Sequence, residues 1–278
     1  MEAIENPKAD LHTHTVHSDG VWEVVRLFEY AAEKGLTALS ITDHDTVAAY
    51  DEAAVCAAAT GVEFVPGIEL SCFENGRDYH LLGYCIDPEY PTMKRHLQLY
   101  RTERERRAER IVAKLRKYDS RIHFDEVLDK AGIGVVGRPH VAAVMVANGI
   151  STDNKEAFNK YLNPGKPAFE PKPNFSVEQG IKLINNAGGI AVLAHPGSMS
   201  QAIVSNFVES GLDGIEVVHP SHQPDVQQHY RNIASHYWLI GTGGSDFHGS
   251  RDYDFINFGS SVVPYSVVQS LRRARAKK

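Results

Sequence analysis

The stretch DLHTHTVHSDG, residues 10–20, decides how this chain is read, because it sets His12, His14, His17 and Asp19 close together at the end of an apolar run. A strand alternates its side chains with period two, so His12 and His14 point the same way and can hold one ion or two adjacent ions. Packing gives no reason for such crowding. Similar residues recur beside later apolar runs: Asp43, His44 and Asp45 in ITDHD, Glu69 in PGIEL, His80 in YHLLGY, His195 in LAHPG, and Asp246 and His248 in GGSDFHG. Together these groups predict a multinuclear metal site.

Around them, strand-like runs alternate with helix-like runs. ADLHTH, LTALSITDHD, VEFVPGIELS, IAVLAHP, GLDGIEVVHP and HYWLIGTGGSDFH read as strands, separated by VWEVVRLFEYAAEKG, an alanine-rich segment over 47–60, SVEQGIKLINNAGG and a helix near 225–235. That order predicts an α/β fold of parallel strands joined by helical crossovers. Short unbroken apolar runs such as IAVLA suit strands buried on both faces. The candidate ligands follow the runs, which predicts a site assembled where loops converge at the C-terminal ends of the strands.

Between His80 and His195 the alternation breaks. A charged helix from about 91 to 118, a second helical stretch and the loop NPGKPAFEPKPNF predict an inserted, mostly helical subdomain over 91–174, with 8–90 and 175–278 as the metal-binding part. From Lys94 to Arg121 there are 11 Lys/Arg against 4 Asp/Glu, in a chain whose net charge is −6. One reading is a solvated helix face with Glu–Arg pairing. The other is a lid that attracts an anionic substrate, with Arg138, His140 and Lys166 as further cationic donors beside it.

A chain of 278 residues that is 42% apolar can bury a large core. No apolar run approaches the roughly 20 residues of a membrane helix, and no leader pattern opens the chain, so a cytoplasmic address with no membrane partner is expected. Cys56, Cys72 and Cys85 form no C-x-x-C pair and are expected to be buried free thiols. The acidic balance argues against a general nucleic-acid coat but leaves room for a local basic pocket. No stable protein partner is implied.

A site rich in imidazole and carboxylate, without thiolate, suits manganese, iron or zinc. Two or three such ions activate water at neutral pH and offset charge on a phosphoryl group. Hydrolysis of a phosphate ester is the reaction most in need of that help.

The set DLHTH with SDG, ITDHDT, PGIEL, HLLGY, AHPG and GSDFH resembles the polymerase and histidinol phosphatase (PHP) domain family. It resembles most the branch with a helical insertion, which includes nucleoside 3′,5′-bisphosphate phosphatases and a 5′–3′ exoribonuclease of short RNA. The resemblance implies a distorted (β/α)7 barrel with two to three divalent ions, manganese foremost, at its mouth. By motif the ligands would be His12, His14, Asp19, His44, Glu69, His80, His195, Asp246 and His248, with Glu69 and Asp246 best suited to link ions. Arg138 and His140 in GRPHVA would hold a substrate phosphate, with Lys166 in NPGKP as a further contact. His222 would face the substrate, as acid toward the leaving oxygen or as a second phosphate contact. His219 stands where the resemblance leads to another residue type such as tyrosine, and no role is assigned to it. His17 and Asp10 fall outside the ligand pattern, and Asp43 and Asp45 would orient His44 or cap the next helix.

The implied activity is a metal-dependent phosphatase on a nucleotide-like substrate with two phosphates. Hydrolysis of a cyclic phosphodiester or of short RNA uses the same chemistry. A non-catalytic barrel that only supports a partner predicts missing metal residues, whereas every expected ligand type is present here.

Overall fold

The computed structural model describes residues 7–278. The chain opens with β1 (Lys8–Asp10), α1 (Val24–Glu33), β2 (Ala38–Leu39), α2 (Tyr50–Thr60) and β3 (Glu63–Phe64). A hairpin follows, of β4 (Gly67–Glu74) and β5 (Arg77–Tyr84). Helices then run uninterrupted by strands: α3 (Pro91–Leu115), α4 (Phe124–Ala131), α5 (Arg138–Ala147), α6 (Asn154–Ala157) and one π turn over Phe158–Leu162. The last part alternates again, through α7 (Val177–Asn186), β6 (Ile190–Leu193), α8 (Gln201–Glu209), β7 (Gly214–Val218), α9 (Pro224–Tyr237) and β8 (Ile240–Gly243). It ends with α10 (Asp252–Asn257), β9 (Val263–Pro264) and α11 (Ser266–Arg275).

The strands form a four-stranded sheet ordered β3-β2-β1-β9 and a five-stranded sheet ordered β4-β5-β6-β7-β8. The mixed α/β class is as expected; where the resemblance implies a distorted (β/α)7 barrel the strands form two sheets and no closed barrel, and they are not all parallel. β5 runs antiparallel to both β4 and β6. The cause is local: Asn75 and Gly76, at φ 52 and 76, close a two-residue turn between β4 and β5. Positive φ at both turn positions matches the strand twist and favours Asn-Gly there.

Backbone hydrogen bonds beyond the strand ends join the sheets at two seams. At one, Leu11 N–H donates to Gly243 O at 3.2 Å, Asp246 N–H to His12 O at 2.9 Å and His14 N–H to Phe247 O at 2.8 Å. At the other, Asp45 N–H donates to Glu69 O at 3.0 Å and Glu69 N–H to Asp43 O at 3.3 Å. The seams bring the chain after β1, β2 and β8 alongside β4. Tyr84, fully buried, braces the first seam by donating its hydroxyl to Leu11 O at 2.8 Å.

Apolar side chains explain why these elements pack. Leu70, Leu81, Ile181, Leu193 and Ile215 join the five-stranded sheet to α7, and Leu27, Phe28, Leu39 and Ala53 join α1 and α2 to the other sheet. The helices after β5 have a separate core of Ile111, Val127, Val141, Met145 and Leu162. All three cysteines are free and buried. Among the described residues no helix is long and apolar enough to cross a membrane.

Gly244 is where the first seam leaves no space. A Cβ there would lie 2.4 Å from both N and Cβ of His12. Because backbone cannot yield as a side-chain tip can, Gly244→Ala should cost about 1–3 kcal/mol and displace His12. A lowered melting midpoint together with weakened metal binding is the expected result; an unchanged midpoint would mean that the seam is looser than its geometry.

Candidate metal centre

Glu69, on β4 and fully buried, is the point on which the imidazoles converge. Its Oε2 lies 3.3 Å from His12 Nε2, 3.2 Å from His14 Nε2 and 3.2 Å from His44 Nδ1. Its Oε1 lies 2.8 Å from His80 Nδ1 and 3.0 Å from His195 Nε2. Asp246 is the second junction, with Oδ1 3.4 Å from His12 Nε2 and 3.1 Å from His14 Nε2. Asp19 is the third, 3.3 Å from His248 Nε2 and 4.0 Å from His44 Nε2. All nine residues singled out as ligands therefore meet in one place. Eight of them fall into three overlapping groups that could hold an ion: His14, Asp19, His44 and His248; His12, His14, Glu69 and Asp246; and His44, Glu69 and His80. His195 joins through its contact with Glu69.

The predicted period-two pairing holds, since His12 and His14 both reach Glu69 and Asp246. The expectation that every ligand sits at the C-terminal end of a strand does not. Glu69 is near the start of β4 and His80 is in the middle of β5. Antiparallel pairing carries the first half of β5 past Ser71 and Cys72, to the same end as the parallel strands' exits.

The hydrogen-bond pattern tests whether these residues suit a cation. Glu216, on β7 and fully buried, receives His12 Nδ1 at 2.9 Å and the His195 N–H at 2.7 Å. With its hydrogen committed to Glu216, a neutral His12 turns the Nε2 lone pair toward the oxygens of Glu69 and Asp246. Lone pair against lone pair is unfavourable unless a positive charge lies between them. His14 Nε2, His44 Nδ1 and Asp19 Oδ1 are likewise buried with no hydrogen-bond partner. Imidazole nitrogen and carboxylate oxygen without sulfur fit a divalent first-row ion.

The titration behaviour follows from the same crowding. Burial raises Glu69, but His44, His80 and His12 outweigh it and hold the carboxyl well below its usual range. Asp246 is held low against burial by His248 and His12. Burial works against the charged form of His14, yet Asp246 and Glu69 lift it to about 10. His44 is driven down to about 3, mainly by burial.

Supporting residues fix the loops. Asp43 accepts from Thr15 N–H at 2.8 Å, Thr15 Oγ1 at 2.6 Å and Ser18 Oγ at 2.6 Å, so it shapes the first motif. Asp45 neither orients His44 nor caps α2; it accepts from Ser71 N–H at 2.8 Å and from Arg104 Nε at 2.8 Å, clamping β4 to α3. Asp10 accepts from Ser245 N–H at 2.9 Å and is pushed up to about 7 by burial. His17 turns away from the centre, 3.5 Å from Glu52.

Beside the centre lies a cleft of about 180 Å³ that shares Asp19, His44 and His80 with it and is lined by Arg104, Arg107, Arg138 and Lys172. Asp78 pairs with Arg138 at 3.0 Å and with Lys172 at 3.3 Å. Arg107 donates Nε to Glu170 O at 2.9 Å, while its buried Nη2 has no partner. Burial, with the like charges of Arg138 and Arg104, pushes Arg107 down to about 9. The basic helix is divided: Arg101 and Arg106 pair with Glu105 and Glu103 on its exposed face, and Arg104 and Arg107 turn inward.

Of the substrate contacts expected from sequence, only Arg138 lines this cleft. His140 accepts the Gly137 N–H at 3.0 Å, with Ser18 backbone against its ring, and so joins the start of α5 to the first motif. Lys166 is exposed in a turn, its N–H bonded to Asn163 O at 3.0 Å. His222 points inward: Nδ1 lies 3.0 Å from Val217 O and Nε2 accepts Gly197 N–H at 3.3 Å, leaving no nitrogen for a substrate. Sequence reasoning missed Glu216, Asp78, Arg104, Arg107 and Lys172. The i,i+3 spacing of Arg104 and Arg107 is shared by Arg101 and Arg110 and so does not single out the inward pair; for Glu216 the one signal was an acid within the apolar run GIEVV.

The PHP domain family profile matches residues 10–163. A 5′-3′ exoribonuclease of Haemophilus influenzae is 35% identical over 247 residues, 87% of this chain and 90% of that protein. A 3′,5′-nucleoside bisphosphate phosphatase of Chromobacterium violaceum is 33% identical over 254 residues, 87% of this chain and 89% of that protein. A crystal structure of a metal-dependent phosphoesterase from Bifidobacterium adolescentis superposes with a TM-score of 0.88 at 30% identity, covering 98% of each chain.

Glu216→Gln should weaken metal binding by about 10–100-fold, the usual effect of losing a carboxylate behind a ligand histidine. A glutamine has one oxygen for two donors, so either His12 or the His195 N–H loses its acceptor. Titration of the chelated protein with manganese would reveal the change, and equal affinity would refute this role.

Protons and metal compete for the same nitrogens. Because His14 keeps its proton up to about 10 in the metal-free state, metal uptake at neutral pH must expel it, and affinity must rise with pH. Calorimetry in buffers of different ionisation enthalpy should record proton release. Affinity that is flat or falls between pH 6 and 8 would contradict the assignment.

Proposed function

This chain belongs to the PHP domain family and is a metal-dependent phosphoric ester hydrolase; we propose that it removes the 3′-phosphate from a nucleoside 3′,5′-bisphosphate. We read the two sheets, with their seam bonds, as a distorted barrel formed by residues 8–90 and 175–278, over which residues 91–174 lie as a helical lid. The assigned cofactors are two to three divalent ions, manganese first and iron or zinc as alternatives, held by His12, His14, Asp19, His44, Glu69, His80, His195, Asp246 and His248. When bound, such ions supply Lewis acidity and a nucleophile from water at neutral pH.

The observation that carries this reading is the four-cation cleft adjoining the centre. Arg104, Arg107, Arg138 and Lys172 outnumber their carboxylate partners Asp45 and Asp78, leaving an excess of two positive charges. That excess matches a phosphate dianion. With the reacting phosphate at Glu69 and Asp246, the cleft receives the other one. Arg138 and the free Nη2 of Arg107 bind it, while Arg104 and Lys172 hold the walls through Asp45 and Asp78. Fixing the remote phosphate orients the reacting one, which is how a non-reacting group contributes to rate.

Stepwise release of nucleotides from a 5′-phosphorylated RNA is the second reading. It is favoured by the similarity to the exoribonuclease and by a separate groove of about 580 Å³ that leaves Asp19 past Val21, Glu23, Lys130 and Ile133. Such a groove has room for a longer chain.

Steady-state phosphate release from adenosine 3′,5′-bisphosphate with manganese should far exceed that from 4-nitrophenyl phosphate. Equal rates would end the bisphosphate reading, and liberation of mononucleotides from 5′-phosphorylated oligomers at a higher kcat/KM would favour the second. Arg138→Ala should raise KM for the bisphosphate about 10–100-fold, as expected for loss of a charge-assisted bond worth roughly 1.5–3 kcal/mol. Turnover of 4-nitrophenyl phosphate, which has no second phosphate, should change little.

A further inference from the structure

His219 follows β7 and is 8% exposed. The Ser221 N–H donates to its Nδ1 at 3.1 Å, and the Ser221 hydroxyl lies 2.7 Å from the same nitrogen. A backbone N–H can only donate, so Nδ1 presents its lone pair and the neutral ring carries its hydrogen on Nε2. That nitrogen is buried and has no hydrogen-bond partner. Asp246 Oδ2 is 3.6 Å away, beyond hydrogen-bonding range. The ring packs 5.2 Å from that of His195 and lines the mouth of the metal centre with His195, Asp246 and Arg251. A buried N–H at the edge of such a mouth without an acceptor costs free energy until one arrives.

We propose that His219 touches the substrate, donating its Nε2–H to an oxygen of the phosphate under hydrolysis, with Ser221 selecting the tautomer. The inference rests on the phosphoesterase reading for the kind of group at the mouth, and not on the nucleoside. No proton is transferred: the ring acts as a fixed, uncharged donor, of the type that stabilises charge developing on phosphoryl oxygens. Arg251, which forms no ion pair among the described residues, adds positive charge at the same mouth.

The test uses the manganese-loaded full chain with His219→Ala and His219→Gln, 4-nitrophenyl phosphate as substrate and inorganic phosphate as ligand. In the alanine variant kcat should fall about 10²-fold, the usual consequence of removing one such donor. Phosphate binding by calorimetry should weaken about tenfold, with metal content and melting midpoint unchanged. Glutamine should restore part of both through its amide N–H. In the native protein, nitrogen NMR should place the hydrogen on Nε2 and show it shifting when phosphate is added. Turnover and phosphate affinity within twofold of the native protein would overturn the proposal. So would loss of metal from the alanine variant, which would make His219 a ligand. Neither probe carries a second phosphate, so failure of the bisphosphate reading would leave this result standing.

Discussion

Five imidazoles surround one buried carboxylate, and the rest of the molecule is arranged around that unfavourable contact. Glu69 faces His12, His14 and His44 with one oxygen and His80 and His195 with the other. Burying a lone carboxylate costs several kcal/mol after relaxation, and neutral rings turning lone pairs toward it add to that cost. Only cations between the rings and the oxygens, or protons in their place, relieve the strain. The backbone shows how firmly the groups are held: His195 and Asp246 take φ of 24 and 51 without being glycine. Such conformations cost about 1–3 kcal/mol each and persist only where surrounding structure imposes them. The seam bond from Asp246 N–H to His12 O is one such restraint, and the bond from His195 N–H to Glu216 is another.

Next to this acidic and imidazole-rich centre the fold sets an excess of positive charge, and the two are joined through shared side chains. Asp45 follows His44 in sequence yet bonds Arg104 of α3, so the His44 loop and the cleft wall are tied together. His80 faces Glu69 with Nδ1, while Lys172 lies 3.2 Å from its Nε2. Lysine only donates, so with no ion bound Lys172 occupies that lone pair and favours a hydrogen on Nδ1 that donates to Glu69, a hydrogen that an ion there would displace. Charge in the cleft is thereby coupled to the protonation pattern at the centre. The helical layer is thus tied to the centre through polar contacts, although its apolar core is separate.

The clustered imidazoles and carboxylates were legible because their chemistry is carried by residue type and short spacing. His12 and His14 need only a strand's alternation to point together, and packing alone does not gather so many imidazoles. The direction of β5 was misread although Asn75-Gly76 announced it, because apolar runs locate strands without giving their direction, which the turn between them sets. Barrel closure was not legible for a related reason: alternating strands and helices report order along the chain, whereas the seams are made largely by residues beyond the strand ends. Glu216 was missed since an acid within an apolar run looks like a surface position until its partner, His12, arrives from over two hundred residues away. Arg104 and Lys172 were hidden among many basic neighbours, and only tertiary packing separates the inward cations from Arg101 and Arg106.

The loop after β7 shows where sequence reading reaches its limit. His219 and His222 are three residues apart in a turn closed by His222 N–H donating to His219 O at 2.9 Å. A turn sends its two ends in different directions, so one imidazole faces the centre and the other the core. Which is which depends on backbone groups whose placement the motif does not show. Gly197 N–H and Val217 O satisfy both nitrogens of His222, and Ser221 N–H takes only Nδ1 of His219. Likeness of motif marks such a loop as close to substrate but does not assign the contact to one ring. The count of satisfied donors and acceptors does, because a buried ring with both nitrogens bonded has nothing left to offer a ligand.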